Sequence, residues 1–296
     1  VTEAWLRDLL ADEDLPPDFA DAVEAAHRPV ADRIAAAAKA GGTLVVGLCG
    51  PQGSGKSTMA KSLRAILAGC DLRAAVLSLD DLYLTRAERG ALAASVHPLL
   101  RTRGVPGTHD LALGHAVLDA LAEPGEARLP VFDKALDDRC PPEAWARVSG
   151  PADVVLFEGW CVGAVPQGPA ELAEPVNDLE REEDPDGTWR RYVNDALGTG
   201  YRRLFARIGL LVVLEPPGFD VVLGWRTEQE RKRRSAALVR GEAPGGMTDA
   251  EIARFVAHYE RLTRHILAEM PARADVTVRL DEHRRPTIVT GPFTRR

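Results

Sequence analysis

The sequence predicts an α/β fold, a parallel β-sheet flanked by helices on both faces, with an N-terminal helical extension and a helical lid. Continuous Val/Leu runs recur along the chain as "TLVVGLC", "AAVLSL", "DVVLFEG", "IGLLVVLE" and "ADVTVRL". Runs of that kind are strands buried on both faces of a sheet. The stretches between them carry helical spacing, as in "KSTMAKSLRAILAG", where Gly69 stands at the C-terminal cap position. The first run passes straight into a glycine-rich loop and then that helix, an order typical of a sheet that binds a ligand beyond the carboxyl ends of its strands. Lys56, Asp80 and Glu158 would all converge there.

Along the chain, residues 18 to 40 show Ala-rich helical spacing, with Phe19, Val23, Ala26 and Val30 on one face until Gly41 and Gly42 stop the helix. This sets a boundary, with 1–42 as an extension and 43–296 as the main domain, its lid at about 224–247. The segments "AVPQGPAELAEPVNDLEREEDPDG" at 164–187 and "RGEAPGGM" at 240–247 read as mobile loops by composition.

With 296 residues and 45% hydrophobic composition, the chain can bury one large core. A formal charge of −7 gives no global attraction for nucleic acid or an anionic membrane, so a bound anion must be held by a local site. The four cysteines, Cys49, Cys70, Cys140 and Cys161, lack metal-site or disulfide spacing and read as reduced thiols. No apolar run has membrane-spanning length, and the start "VTEAWLRDLLADEDLPPDF" is acidic where a secretory signal is basic, so a soluble cytoplasmic protein is expected.

The stretch "GPQGSGKST" meets the pattern G-x-x-x-x-G-K-[ST] from Gly50 to Ser57. Its strand-before, helix-after setting makes it the phosphate loop of a P-loop NTPase fold. Gly50, Pro51, Gln52, Gly53, Ser54, Gly55, Lys56, Ser57 and Thr58 are the candidate ATP-binding residues. Glycines let backbone N–H groups wrap the phosphates, Lys56 reaches the outer ones, and the Ser57 hydroxyl is a Mg²⁺ ligand. Glu158, at a strand end, is the second candidate for Mg²⁺.

Asp80 and Asp81 follow "VLSL" at another strand end. One of the two can take the proton of an acceptor hydroxyl while the other points away or caps the next helix. In "WRTEQERKRRSAALVR", Arg226, Arg233 and Arg240 recur every seven residues on one helix face, with Arg231 close by, as in a lid closing over phosphates. "RTRGVPGTHDLAL" contributes Arg101, Arg103, His109 and Asp110, and "PVFDKALDDR" contributes Asp133, Lys134 and Arg139. Together they offer carboxylates for hydroxyls and cations for an acid group.

The motifs "GPQGSGKST", "LSLDDLYLT", "RGVPGTHDLAL", "PVFDKALDDR" and "VVLFEGWCVG" come in an order that resembles the D-glycerate 3-kinases of plant and fungal type, within the uridine kinase and phosphoribulokinase branch of P-loop kinases. The resemblance spans about residues 43 to 290. It implies ATP and Mg²⁺, Asp80 as the base, and a lid pattern R-x-x-x-E-R-x-R matched at Arg226, Glu230, Arg231 and Arg233. It also implies an acid at Asp110 for acceptor hydroxyls; Asp80, Tyr83, Arg103, His109, Asp110, Lys134 and Arg139 are the candidate substrate-binding residues. The expected activity is ATP-dependent phosphorylation of a small hydroxy acid, D-glycerate first. The alternatives are a uridine, pantothenate or phosphoribulose type of acceptor, or a nucleotide-binding switch that transfers nothing.

Overall fold

The computed structural model describes residues 3–39, 41–239 and 246–290. The pattern expected as one helix over 18–40 is broken. After α1 (Ala4–Asp12) come α2 (Phe19–Ala22), one π-helical turn at Val23–His27, and α3 (Arg28–Ala38). Pro29 is the reason: it has no N–H to donate and its ring clashes with the carbonyl four residues back, and the wider turn absorbs the misfit.

The sheet follows. β1 (Leu44–Cys49) leads through the glycine loop into α4 (Lys56–Ala68), and β2 (Ala74–Ser78) ends in a 3₁₀ turn at Leu79–Leu82. Next come α5 (Arg86–Ser95) and α6 (Leu111–Ala122). Then four short strands, β3 (Gly125–Leu129), β4 (Phe132–Asp133), β5 (Asp138–Arg139) and β6 (Ala146–Gly150), form two antiparallel ribbons, β3 with β6 and β4 with β5. The chain returns to the sheet with β7 (Val154–Gly159), leaves it for α7 (Asp178–Glu183), α8 (Thr188–Ala196) and α9 (Arg202–Phe205), and returns with β8 (Leu210–Glu215). It closes with α10 (Asp220–Val239), α11 (Asp249–Glu269), β9 (Val276–Leu280) and β10 (Pro286–Thr290).

The six-stranded sheet has the order β10-β9-β8-β1-β7-β2, parallel except for β10. β1 is central, and its register with β7 sets Leu48 beside Glu158, which brings the phosphate loop next to that carboxylate. Alternate residues of each strand enter opposite cores. Val45, Leu77, Phe157 and Val213 pack with Leu118, Leu204 and Leu262 on one face. Val46, Leu156, Val212 and Val278 pack with Leu63 of α4 and Val23, Val30 and Ile34 of the N-terminal helices on the other. Burial on both faces is why these strands read as unbroken apolar runs. No helix among the described residues is long and apolar enough to cross a membrane.

The 164–187 segment departs from the loop expectation. It carries α7 and a 3₁₀ turn at Pro169–Leu172, and two buried arginines hold it. Arg190 pairs with Asp184 at 3.0 Å and donates to the carbonyls of Leu172 and Ala173. Arg261 pairs with Glu180 at 2.7 Å and donates to the carbonyls of Glu171 and Glu174. An acidic, proline-rich segment makes little core of its own, but a guanidinium supplies five donors to its carbonyls and carboxylates. Of the 240–247 loop, residues 240–245 lie outside the described residues.

The π turn buries His27 edge-on to Phe19, with ring centroids 5.5 Å apart. Burial pushes its imidazole down from 6.5 to about 4. As pH falls from 6.5 toward 4, the unfolded chain takes up a proton that the folded state refuses, so stability present above 6.5 is lost through that window. We expect His27 to account for about 2 kcal/mol of the loss between about pH 7 and pH 5. Buried His109, pushed down to about 3, adds to the same trend, so the informative quantity is the difference made by His27→Leu. Urea titrations at both pH values check it: the variant should lose less, and equal losses in both proteins would contradict the assignment.

Candidate active site

β1 ends at Cys49 and the loop turns back over its own end to start α4 at Lys56. Gly53 has φ +77, and a Cβ there would meet Cβ of Trp225 at 2.7 Å and its backbone carbon at 3.0 Å, so only glycine fits. That contact seats the first turns of α10 on the loop. Trp225 is fixed by donating to the Glu282 carbonyl at 2.9 Å and by the Arg284 guanidinium 5.5 Å from its ring centre. Ser57 Oγ donates to Glu158 Oε1 at 3.0 Å across the loop. Glu158 is 4% exposed, and its Oε2 is buried with no hydrogen-bond partner. A hydroxyl beside a buried carboxylate with an unused oxygen suits a small hard cation such as Mg²⁺. Among the described residues no group of three or more His, Cys, Asp or Glu could hold a metal ion.

The 3₁₀ turn after β2 separates the two aspartates. Asp80 accepts from the Tyr83 hydroxyl at 2.7 Å through Oδ1 and from Lys134 Nζ at 2.5 Å through Oδ2. Burial works to raise its pKa, but the ammoniums of Lys134 and Lys56 and these two hydrogen bonds hold it well below the usual carboxylate range. Lys56 is thus close enough to act on Asp80 electrostatically, which joins the phosphate loop to the strand end. Asp81 has a different partner. Its Oδ1 accepts from the Phe132 N–H at 3.0 Å, and burial, with the charges of Asp80 and Glu158, pushes its carboxyl up to about 6.

Tyr83 and His109 form a backbone bridge, and their rings lie 4.8 Å apart. His109 is buried, and its Nδ1 lies 2.5 Å from the Tyr201 hydroxyl, whose oxygen also accepts from the Gly107 N–H at 2.9 Å. Both carboxylate oxygens of Asp110 have partners. Oδ1 caps α6 by accepting from the Leu113 N–H at 2.9 Å, and Oδ2 accepts from Arg139 at 3.1 Å. Arg139 also donates to the Tyr83 carbonyl at 2.8 Å. Arg103 pairs with Asp137 in the β4–β5 turn.

The structure therefore links Asp80, Tyr83, His109, Asp110, Lys134 and Arg139 by direct contacts, with Lys56, Ser57 and Glu158 alongside. Arg226 and Arg231 of the lid have partners of their own. Arg226 is paired with Glu230 at 3.0 Å and lies 5.7 Å from the Phe255 ring centre. Arg231 is exposed, 3.7 Å from Asp249, and the side chain of Arg233 lies outside the described residues.

Several supporting residues had no signal in the sequence. Arg89, fully buried, donates to the carbonyls of Arg101 and Asp137 at 2.8 Å each and pairs with the Asp137 carboxylate, fastening the hairpin that carries Lys134 to the 101–110 loop. Tyr201 sits on a second π turn, Leu197–Tyr201. Tyr259 donates to the Arg103 carbonyl at 2.9 Å, and Gly104, at φ +119, leaves room for that hydroxyl where a Cβ would come within 1.8 Å of it. Tyr201 and Tyr259 lie more than ninety residues from the groups their hydroxyls contact, and Arg89 lies forty-eight from Asp137.

A model of the family described as Phosphoribulokinase / Uridine kinase matches residues 45–173, the stretch from β1 past β7 that supplies the phosphate loop, both aspartates and Glu158. An uncharacterized kinase of Schizosaccharomyces pombe is 32% identical over 84% of this chain and 92% of its own. The chloroplastic D-glycerate 3-kinase of Arabidopsis thaliana is 31% identical over 83% of this chain, which spans 54% of that protein. Among solved structures, D-glycerate 3-kinase from Cryptococcus neoformans superposes with a TM-score of 0.74 at 28% identity, covering 89% of this chain and 98% of that one. A family match over the site-building strands, and nearly end-to-end similarity to a kinase, agree with a phosphate loop set beside an ionised strand-end aspartate: the chain belongs to the phosphoribulokinase and uridine kinase family of ATP-using kinases.

Proposed function

We propose that the protein transfers the γ-phosphoryl group of ATP to the 3-hydroxyl of D-glycerate. The observation that carries this reading is the cluster in which Asp80 and Lys134 meet beside the phosphate loop, a base and an exposed cation within one small-molecule span. The similarity to proteins named D-glycerate 3-kinase supports the same acceptor.

In the proposed reaction Asp80 accepts the proton of the acceptor hydroxyl as its oxygen bonds to the γ-phosphorus. The bond from that phosphorus to the β–γ bridging oxygen breaks, and ADP leaves with the electron pair. Lys56 and the backbone of Gly50–Thr58 bind the polyphosphate and stabilise its developing charge. Ser57 and Glu158 would hold Mg²⁺, which when bound neutralises phosphate charge. Lys134, with Arg139 and Arg103 behind it, receives the acceptor carboxylate, while Asp110, His109 and Tyr83 orient its hydroxyls. On closure, Arg226, Arg231 and Arg233 of α10 turn toward the phosphates.

The reading keeps residues 1–42 as an extension on the kinase domain 43–296, here sharing a core with the sheet. The four free cysteines are in keeping with the cytoplasm. Phosphorus NMR of the product tests the transfer: ATP and D-glycerate should give 3-phosphoglycerate, and 2-phosphoglycerate would mean that the acceptor lies the other way round.

A further inference from the structure

A general base needs an open approach to a lone pair where the acceptor proton will be, and on Asp80 each of the two oxygens already accepts a hydrogen bond from a donor. Tyr83 donates to one of its oxygens at 2.7 Å and Lys134 to the other at 2.5 Å. The two donors differ in how readily they can leave. Tyr83 is 4% exposed, between His109 and Phe132 with ring centroids at 4.8 and 5.1 Å, so its hydroxyl is fixed by packing. The Lys134 side chain is 55% exposed, and Asp80 is its one ion-pair partner among the described residues.

Its surroundings direct motion to the side chain alone. Asp133 closes the β4–β5 turn by accepting from the Ala135 and Leu136 N–H groups at 2.7 and 3.1 Å, and Arg89 ties Asp137 at the far side. The backbone under Lys134 is therefore set, while its four-carbon stem can swing. The neighbouring cations are committed, Arg139 to Asp110 and Tyr83, and Arg103 to Asp137. An arriving carboxylate meets Lys134 as the cation most easily captured.

We propose that the acceptor's carboxylate is what frees the base: it takes over the Lys134 ammonium and so releases Asp80 Oδ2 to receive the proton of the acceptor hydroxyl. Recognition of the acid and activation of the base are then one event. Water, or a neutral hydroxyl compound, finds the base still occupied, so ATP is protected from hydrolysis until an acid is bound. This rests on the acceptor and base assignments proposed above and adds to them a coupling between the two.

The test uses D-lactate, which is glycerate without the 3-hydroxyl. Bound to the wild-type protein with ATP and Mg²⁺, it should draw Lys134 away and leave water in the place of the missing hydroxyl. Hydrolysis of ATP to ADP and phosphate should rise on the order of tenfold. Lys134→Met should hydrolyse ATP at the raised rate without any acid, ignore lactate, and show a KM for D-glycerate raised at least about tenfold. Lys134→Arg, which can still pair with Asp80, should restore stimulation by lactate. Two results would each overturn the proposal: wild-type hydrolysis staying at its basal rate at lactate concentrations that block D-glycerate phosphorylation, or Lys134→Met hydrolysing as slowly as wild type. Lactate that fails to compete with D-glycerate would also count against it, because both acids offer the same carboxylate. If D-glycerate itself gives no ADP release in the wild-type protein, the acceptor assignment falls, while the acid-free Lys134→Met rate still reports whether the ammonium restrains Asp80.

Discussion

Asp80→Asn should lower turnover at least about 100-fold and leave nucleotide affinity close to wild type, since a positioned general base contributes roughly 10²- to 10⁴-fold. Asparagine keeps the size of the side chain and an oxygen for the Tyr83 hydroxyl, so the turn should hold its shape. What is removed is the carboxylate that takes the proton. Asp81→Asn is the matched comparison. Asp81 is turned to the Phe132 N–H, and the amide oxygen of asparagine can still accept that bond, so turnover should change several-fold at most. Steady-state ADP release and titration with a fluorescent nucleotide separate the two effects. If the two variants exchange behaviours, Asp81 is the base.

Lys56→Ala should also cost more than about 100-fold in turnover, because a preorganised charge directed at the transferring group is worth several kcal/mol in the transition state. The protein should remain folded. The loop's path is set by Gly53 and Gly55 in the left-handed region and by the Trp225 contact, none of which involves the lysine side chain. Thermal unfolding checks the fold and single-turnover transfer checks the chemistry. A folded variant with a near-normal rate would remove Lys56 from its assigned role.

The parallel strands were legible because burial on both faces writes them as unbroken apolar runs, and the phosphate loop because its glycines are required locally. Asp80 and Glu158 were legible for a related reason: both stand at the ends of such runs, next to that loop in the folded sheet. The break in the N-terminal helix was written in Pro29, but the spacing of Val23, Ala26 and Val30 outweighed it. The ordering of 164–187 was hidden. Its acidic composition is that of a loop, and the arginines that fold it, Arg190 and Arg261, lie outside the segment, Arg261 more than seventy residues beyond it. The Asp80–Lys134 pair was hidden in the same way. Each residue reads separately as a base and as a recognition cation, and only the β4–β5 hairpin brings them together. Charge spacing in the lid marked a basic helix face, and the four-residue step from Arg226 to Glu230 also allowed the pairing within a turn that the structure shows.

Acceptor-dependent ADP release, measured side by side with D-glycerate, L-glycerate and uridine, tests the central claim most directly. D-glycerate should stimulate release strongly, L-glycerate less because its hydroxyls meet the fixed Asp110 and His109 in the wrong order, and uridine little because it has no carboxylate for Lys134. Strong stimulation by uridine, or none by either glycerate, would contradict the acid-binding site while leaving the kinase family assignment in place.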